Sequence, residues 1–161
     1  MTYISLTLNG QRIEVEVEPR QFLVEFVRNV ARQTGTHIGC DTSYCGACTV
    51  LVDGRSVKSC TMFAVQADGT DVRTVESLED KNGELNALQR AFANNHALQC
   101  GYCTPGFLMS ATQLLARNAN PSEADVRKGL SGNVCRCTGY QGILAAVLEA
   151  AAELRGENRE V

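Results

Sequence analysis

The chain has 161 residues, of which 44% are hydrophobic, and it carries 15 Lys and Arg against 18 Asp and Glu, for a formal charge of -3. This length allows one or two small hydrophobic cores. Because the charges are scattered and nearly balanced, nothing indicates nucleic acid or an anionic membrane as a partner. The sequence also has no run of about 18 apolar residues and no secretory signal, so we expect a cytoplasmic protein without direct membrane insertion.

The first half of the chain has the alternating hydrophobic pattern of β-strands. This pattern covers residues 4–8 and 13–17 on either side of Asn9-Gly10, which predicts a β-hairpin. Residues 22–30 instead have helical spacing, which predicts a short helix across the sheet.

A second hairpin is predicted over TVLV-DG-RSVK, with Asp53-Gly54 as its turn. Val72 and Val75 indicate one further strand.

The second half has the hydrophobic spacing of four helices, with apolar positions within residues 85–92, 107–115, 126–130 and 143–151. Thr104-Pro105 predicts the start of the second helix, with Thr104 as the capping residue. Ser122 and Asp125 form a capping-box pattern before the third helix. The polar stretch between these halves predicts domains at 1–77 and 78–161, and therefore an α+β protein.

Eight cysteines are unusual for a chain of this length. In a secreted protein they would indicate disulfides, whereas in a reducing compartment clustered cysteines are more often metal ligands or redox groups. We therefore favour metal binding.

The first cysteine set has gaps of four, two and eleven residues and consists of Cys40, Cys45, Cys48 and Cys60. Continuing the second hairpin places Cys48 opposite Ser59 and Cys60 opposite Ala47, so the long gap closes. The C-x4-C-x2-C spacing with one distant cysteine is that of plant-type ferredoxin clusters rather than of zinc knuckles.

The second cysteine set has a C-x2-C and a C-x-C pair and consists of Cys100, Cys103, Cys135 and Cys137. Each pair lies between two predicted helices, and this weak repeat predicts a four-helix bundle of approximate two-fold symmetry with the four cysteines at one end. The spacing leaves zinc, an iron–sulfur cluster and, less favoured, a redox dithiol open.

Four segments contain the eight cysteines: GCDTSYCGACTV, SCTMFAVQ, LQCGYCTPG and GNVCRCTGYQ. In this order they resemble the small iron–sulfur subunit of the molybdenum hydroxylases, the xanthine oxidase family. The resemblance covers nearly the whole chain and includes all eight cysteines.

The resemblance implies two [2Fe–2S] clusters. The cluster on the first cysteine set would lie in a plant-ferredoxin-like β-grasp domain, nearer to flavin, and the cluster on the second in a pseudo-two-fold four-helix bundle, nearer to molybdenum. Gln99 and Cys137 match the positions that contact molybdopterin. No residue of this chain is expected to be catalytic.

The implied partners are a large subunit with molybdenum–molybdopterin, of the cytosine dinucleotide type, and a medium subunit with FAD, in a dimer of heterotrimers. The chain would relay electrons from molybdenum to FAD. HIGCDTSYCGACTV and SVKSCTMFAVQ are most similar to the small subunit of aerobic carbon monoxide dehydrogenase, which makes CO the first expected substrate. Related enzymes that oxidise N-heterocycles or aldehydes are the alternative. A free two-cluster ferredoxin and a zinc module are less favoured.

Residues near the cysteines allow structural and functional interpretations. His37 could tune a cluster or be structural. Tyr44 and Tyr102, each just before a cysteine, could lie over a cluster or against a partner. Arg136, between two cysteines, could pair with cluster charge or with a cofactor phosphate.

Overall fold

A computed structural model describes residues 1–79 and 82–156, and it has a mixed helix and strand fold. Five strands form one sheet in the order β2-β1-β5-β3-β4: β1 (Thr2–Leu8), β2 (Gln11–Val17), β3 (Thr49–Val52), β4 (Arg55–Lys58) and β5 (Asp71–Arg73). A short helix α1 (Leu23–Glu25), which continues as a π-helical turn (Phe26–Val30), follows β2. The second half contains α2 (Ala87–Asn94), α3 (Thr104–Arg117), α4 (Glu123–Gly129) and α5 (Tyr140–Leu154).

Both predicted hairpins are confirmed. In the first, Leu8 pairs with Gln11, and the turn residues Asn9 and Gly10 have φ of 50° and 81°. In the second, Val52 pairs with Arg55 across an equivalent turn. Positive φ at both turn positions matches the right-handed twist of the strands that the turn joins.

The predicted strand at residues 72–75 is shorter than expected. β5 ends at Arg73, and Val75 begins a 3-10 turn (Val75–Ser77) instead. The side chain of Asn9 accepts the N–H of Thr74 at 2.8 Å, so this N–H is not available to a neighbouring strand. Sheet pairing stops there because its next donor is already used.

Each half has its own hydrophobic core. One face of the sheet packs on α1 around a buried set that includes Ile4, Leu6, Phe26, Val50 and Val72. The helices enclose a second buried set that includes Leu88, Phe92, Phe107, Ile143 and Val147.

The starts of two helices test the sequence signals. The capping box of Ser122 and Asp125 is confirmed at α4. At α3 the prediction was wrong by one residue, because Cys103 occupies the capping position and Thr104 is already helical. The Thr104 hydroxyl is therefore too far along the helix to cap it.

Helix α3 packs against β3 and β4 and so joins the two halves. A Cβ atom on Gly106 would lie 2.2 Å from the carbonyl oxygen of Gly46 and 3.0 Å from Cα of Ala47. This close approach requires glycine at the start of α3. The helical half is thereby seated directly on the loop of the first cysteine set.

Across residues 1–79 and 82–156, none of the helices has both the length and the apolar character that a membrane span needs.

Candidate metal centres

The first cysteine set lies in the loop before β3 and at the end of the β3–β4 hairpin. The thiols of Cys40 and Cys45 interact, and the N–H of Cys45 points to Cys40 Sγ at 3.4 Å. The thiols of Cys48 and Cys60 form a second pair, and Cys48 is also within electrostatic reach of Cys45. The structure therefore brings all four cysteines of the set together.

The hairpin returns Cys60 to Cys48 in a different way from the one predicted. Ser59 faces Cys48 as expected, and both its N–H, at 3.3 Å, and its hydroxyl, at 2.6 Å, donate to the Cys48 carbonyl. The ladder ends at that point, and the chain turns into a 3-10 helix (Ser59–Thr61). The predicted strand pairing of Cys60 with Ala47 is therefore wrong, although Cys60 still reaches Cys48.

The second cysteine set lies where two helices begin, just before α3 and just before α5. Thiols interact between Cys100 and Cys137 and between Cys103 and Cys135. Because each pair takes one cysteine from each helix start, the packing of the helices assembles this set.

Backbone N–H groups and burial act oppositely on the thiols of the first set. The N–H groups of Cys45 and Thr42 lower the pKa of Cys40 to about 6, since they stabilise the thiolate. Burial raises the pKa of Cys48 to about 11, because a negative charge is poorly solvated there.

The second set repeats this contrast. The N–H of Tyr102, 3.5 Å from Cys100 Sγ, lowers the pKa of the exposed Cys100. Burial raises the pKa of Cys103 to about 12. A buried thiolate at Cys48 or Cys103 therefore needs a positive partner, such as a bound metal.

The thiols meet in pairs. Within the described ranges, no three or more His, Cys, Asp and Glu side chains are placed to share one metal ion. A [2Fe–2S] cluster is held by four cysteines distributed over two irons. Two thiol pairs at each site fit such a cluster.

A buried hydroxyl beside the second set also fits a bound cluster. Thr104 Oγ1 is buried and has no hydrogen-bond partner among the residues that the structure describes. It belongs to the residue directly after Cys103. Since buried hydroxyl groups are nearly always hydrogen-bonded, this one is available to the sulfur of a cluster.

Gln99 and Cys137, which are both predicted to contact molybdopterin, lie next to each other. The side-chain N–H of Gln99 donates to the carbonyl of Cys137 at 3.0 Å, and Gln99 is exposed. Their contact with a pterin stays a prediction.

The loops of the two sets also touch each other. The rings of His37 and Tyr102 stack with centroids 4.6 Å apart, and His37 Nδ1 lies 2.8 Å from the carbonyl of Tyr102. The Tyr102 hydroxyl donates to the carbonyl of Ile38 at 2.8 Å. These contacts give both residues a structural role between the sets, while Tyr44 is 74% exposed and free to meet a partner.

A direct backbone contact connects the sets at their centre. The N–H of Val134 donates to the carbonyl of Cys45 at 2.9 Å, and Val134 directly precedes Cys135. Asn133, which is buried, donates to the carbonyl of Gly46 at 3.0 Å. Sequence reasoning missed both residues, because an asparagine two positions before a cysteine carries no signal of a contact 87 positions away.

Fold and geometry together define a protein with two four-cysteine sites that fit iron–sulfur clusters. Family models agree with this class and match nearly the whole chain. Residues 6–78 match a 2Fe-2S iron-sulfur cluster binding domain, and residues 74–148 match a [2Fe-2S] binding domain.

Full-length relatives define the family. The chain is 50% identical over 155 residues to the nicotine 6-hydroxylase small subunit of Paenarthrobacter nicotinovorans, covering 96% of this chain and 93% of that one. It is 50% identical over 147 residues to caffeine dehydrogenase subunit gamma of Pseudomonas sp. (strain CBB1), covering 89% and 87%.

A solved structure gives the same result. A chain in the crystal structure of quinoline 2-oxidoreductase from Pseudomonas putida 86 superposes with a TM-score of 0.90 at 48% identity, covering 98% of both chains. The protein belongs to the small iron–sulfur subunits of the molybdenum hydroxylase family.

Proposed function

We propose that this chain is the electron-transfer subunit of a molybdenum hydroxylase complex, and that it relays electrons from molybdenum–molybdopterin through two [2Fe–2S] clusters to FAD. The observation that carries the proposal is the hydrogen bond from Val134 N–H to the Cys45 carbonyl at 2.9 Å. It connects the residue before a cysteine of the second set to a cysteine of the first. Two sites for one-electron carriers in such contact are suited to a relay.

In the proposed sites, thiolates of the eight cysteines would hold the iron of the two clusters. The bound clusters would supply one-electron steps, which connect two-electron chemistry at molybdenum with the flavin. The chain's own backbone N–H groups, such as that of Tyr102 at Cys100, stabilise negative charge on sulfur.

The proposed direction of electron flow rests on which partner cofactor each cysteine set would face. Gln99 and Cys137 lie together at the second set, where they would contact the pterin. The exposed Tyr44 lies beside the first set and is available to the FAD-binding subunit. The second set is thus proposed as the entry and the first as the exit.

The proposal has structural parts as well. It includes a β-grasp domain at 1–77 and a pseudo-two-fold helical domain at 78–161, whose limits take in residues 80–81 and 157–161 outside the described ranges. It also includes a large molybdenum subunit with the cytosine dinucleotide cofactor, a medium FAD subunit, a dimer of heterotrimers and a cytoplasmic location.

The substrate of the complex is proposed as an N-heterocycle ahead of CO. CO was the first expectation from the sequence, on resemblance to carbon monoxide dehydrogenase. The names of three relatives instead include nicotine, caffeine and quinoline, all of which contain nitrogen heterocycles. Because substrate would not touch this chain, the test is to assay the purified complex with CO and with each of these heterocycles.

The relay itself is tested on the complex purified from its own host. We expect about four irons per chain, two distinct [2Fe–2S] signals in low-temperature EPR, and stoichiometric molybdenum and flavin. About two zinc ions per chain without iron would overturn the proposal. Two clusters without a partner subunit would favour a free ferredoxin.

A further inference from the structure

Asn133 is a buried polar residue at the junction of the two cysteine sets. The residue is 7% exposed. Its Nδ2 donates to the Gly46 carbonyl at 3.0 Å, and its Oδ1 accepts the Ser110 hydroxyl at 2.7 Å. Asn133 is therefore fixed from α3 on one side and holds the loop of the first set on the other.

The neighbouring residue extends this contact. Val134 N–H donates to the carbonyl of Cys45, so two consecutive residues of one segment bind two consecutive carbonyls of the other. The junction is also tightly closed, since a Cβ on Gly46 would lie 2.5 Å from the carbonyl oxygen of Gly132 and 2.6 Å from Asn133 Nδ2. The Cys45–Gly46 segment has little freedom to move relative to Cys135.

The loop of the first set does not depend on Asn133 for its own hydrogen bonds. The Gly46 carbonyl also accepts the N–H of Thr49 at 3.1 Å and the Thr49 hydroxyl at 2.7 Å. Without Asn133 this carbonyl would stay satisfied, and no buried acceptor would be left unpaired. For the loop of the first set, the amide of Asn133 therefore serves the connection to the second set rather than the loop's own integrity.

We propose that Asn133 is a positioning residue that sets the rate of electron transfer between the two clusters. It keeps the Cys45 carbonyl on the N–H of Val134 and so fixes the separation of the two cysteine segments that would hold the clusters. In the step concerned, one electron leaves the reduced cluster of the second set and reduces the oxidised cluster of the first. This inference rests on the proposed function.

The test uses the purified complex with three variants of this chain. Asn133→Leu replaces the amide by an apolar side chain with the same branching at Cγ, and Ser110→Ala removes only the hydroxyl that orients the amide. The matched control is Asn95→Leu, because Asn95 donates to Ala91 and Glu149 within the helical half alone.

The measurement is the time course of the two cluster EPR signals in rapidly frozen samples after one-electron photoreduction. Iron content and both reduction potentials are measured on the same samples. We expect Asn133→Leu to slow the transfer between clusters several-fold, Ser110→Ala to slow it less, and Asn95→Leu to leave it unchanged, all with full iron content and unshifted potentials.

An unchanged transfer rate in Asn133→Leu with both clusters present would overturn the inference. If Asn133→Leu loses iron, Ser110→Ala decides: slower transfer with full iron supports the inference, and wild-type transfer or iron loss contradicts it. Absence of two cluster signals in the wild-type complex would instead contradict the proposed function.

Discussion

The two cysteine sets share one arrangement of thiols but are built by opposite means. Ligands of the first set lie within 21 residues of one another, from Cys40 to Cys60, and a loop and a hairpin bring them together. The second set joins segments from the starts of α3 and α5, which only helix packing can assemble. A local site is therefore expected to depend on turn chemistry, and a distributed one on its core.

Removing one large side chain from each core should show how strongly each cysteine set depends on the core of its own half. Phe26 is 0% exposed in the sheet core and Phe92 is 1% exposed in the helical core. Each Phe→Ala change should cost about 4 kcal/mol, through lost burial and a cavity. We expect Phe92→Ala to lose more iron from the second set than Phe26→Ala loses from the first, measured by EPR quantitation of each cluster. Equal iron loss from both sets in both variants would show that the halves fold as one unit.

The seam between the halves is tested by Gly106→Ala. The added Cβ would meet backbone atoms, with Gly46 O at 2.2 Å, so relief requires the two halves to move apart. We expect a loss of roughly 2 kcal/mol in the free energy of unfolding. The control is Gly129→Ala in α4, whose Cβ would meet only side-chain atoms of Leu114 at 3.0 Å or more. If urea unfolding gave Gly106→Ala a free energy of unfolding no lower than that of this control, it would contradict the close contact between Gly106 and Gly46.

A single hydrogen bond from Thr104 is proposed to tune the reduction potential of the second-set cluster alone. Thr104→Val removes a buried hydroxyl whose proposed partner is cluster sulfur. Because a donor to sulfur stabilises the more negative reduced cluster, its loss should lower that cluster's potential, by roughly 40 mV for a bond worth about 1 kcal/mol.

Thr112→Val in the same helix is the control, since the Thr112 hydroxyl already donates to the Leu108 carbonyl. It should shift neither potential in EPR-monitored redox titrations, and Thr104→Val should leave the potential of the first cluster unchanged. Equal shifts from the two variants would contradict a role for Thr104 at the cluster.

The pH dependence of thiol alkylation tests whether each set contains one thiol of lowered pKa and one of raised pKa. It is the smallest of the expected effects. The pKa of Cys40 is lowered to about 6, so its thiolate predominates above that pH, whereas the pKa of Cys48 is raised to about 11. In the iron-free chain, alkylation of Cys40 should rise through about pH 6 and then level off, while Cys48 should react only under strongly alkaline conditions. The same contrast is expected between Cys100, whose pKa is lowered, and Cys103, whose pKa is raised. Mass spectrometry that found Cys48 alkylated as fast as Cys40 at about pH 7 would contradict it.

Local features of the fold could be predicted from the sequence because their causes are local. Asn9-Gly10 and Asp53-Gly54 specify hairpin turns, and the capping box at Ser122 specifies a helix start. Errors occurred where a side chain elsewhere in the fold decides the outcome. Asn9 takes the N–H of Thr74 and ends β5, and the Ser59 hydroxyl takes the Cys48 carbonyl where the hairpin ladder ends.

The candidate sites divide in the same way. Ligand spacing in the first set predicted its convergence, while spacing alone left zinc and a cluster open for the second set, and only the resemblance implied a cluster there. The junction at Asn133 and Val134 was beyond prediction, because it depends on how α3 seats on β3 and β4. Such long-range polar contacts have no periodicity that a single sequence could reveal.

In the proposed relay the two sets act in series, with the second set as entry and the first as exit. The most direct measurement is rapid-freeze EPR, with flavin absorbance, on complexes carrying Cys137→Ser or Cys45→Ser after mixing with the substrate that the assay identifies. In the Cys45→Ser complex, substrate should still reduce the second-set cluster but not the flavin. In the Cys137→Ser complex, substrate should reduce neither. Reduction of flavin at the wild-type rate in either variant would contradict a relay through this chain.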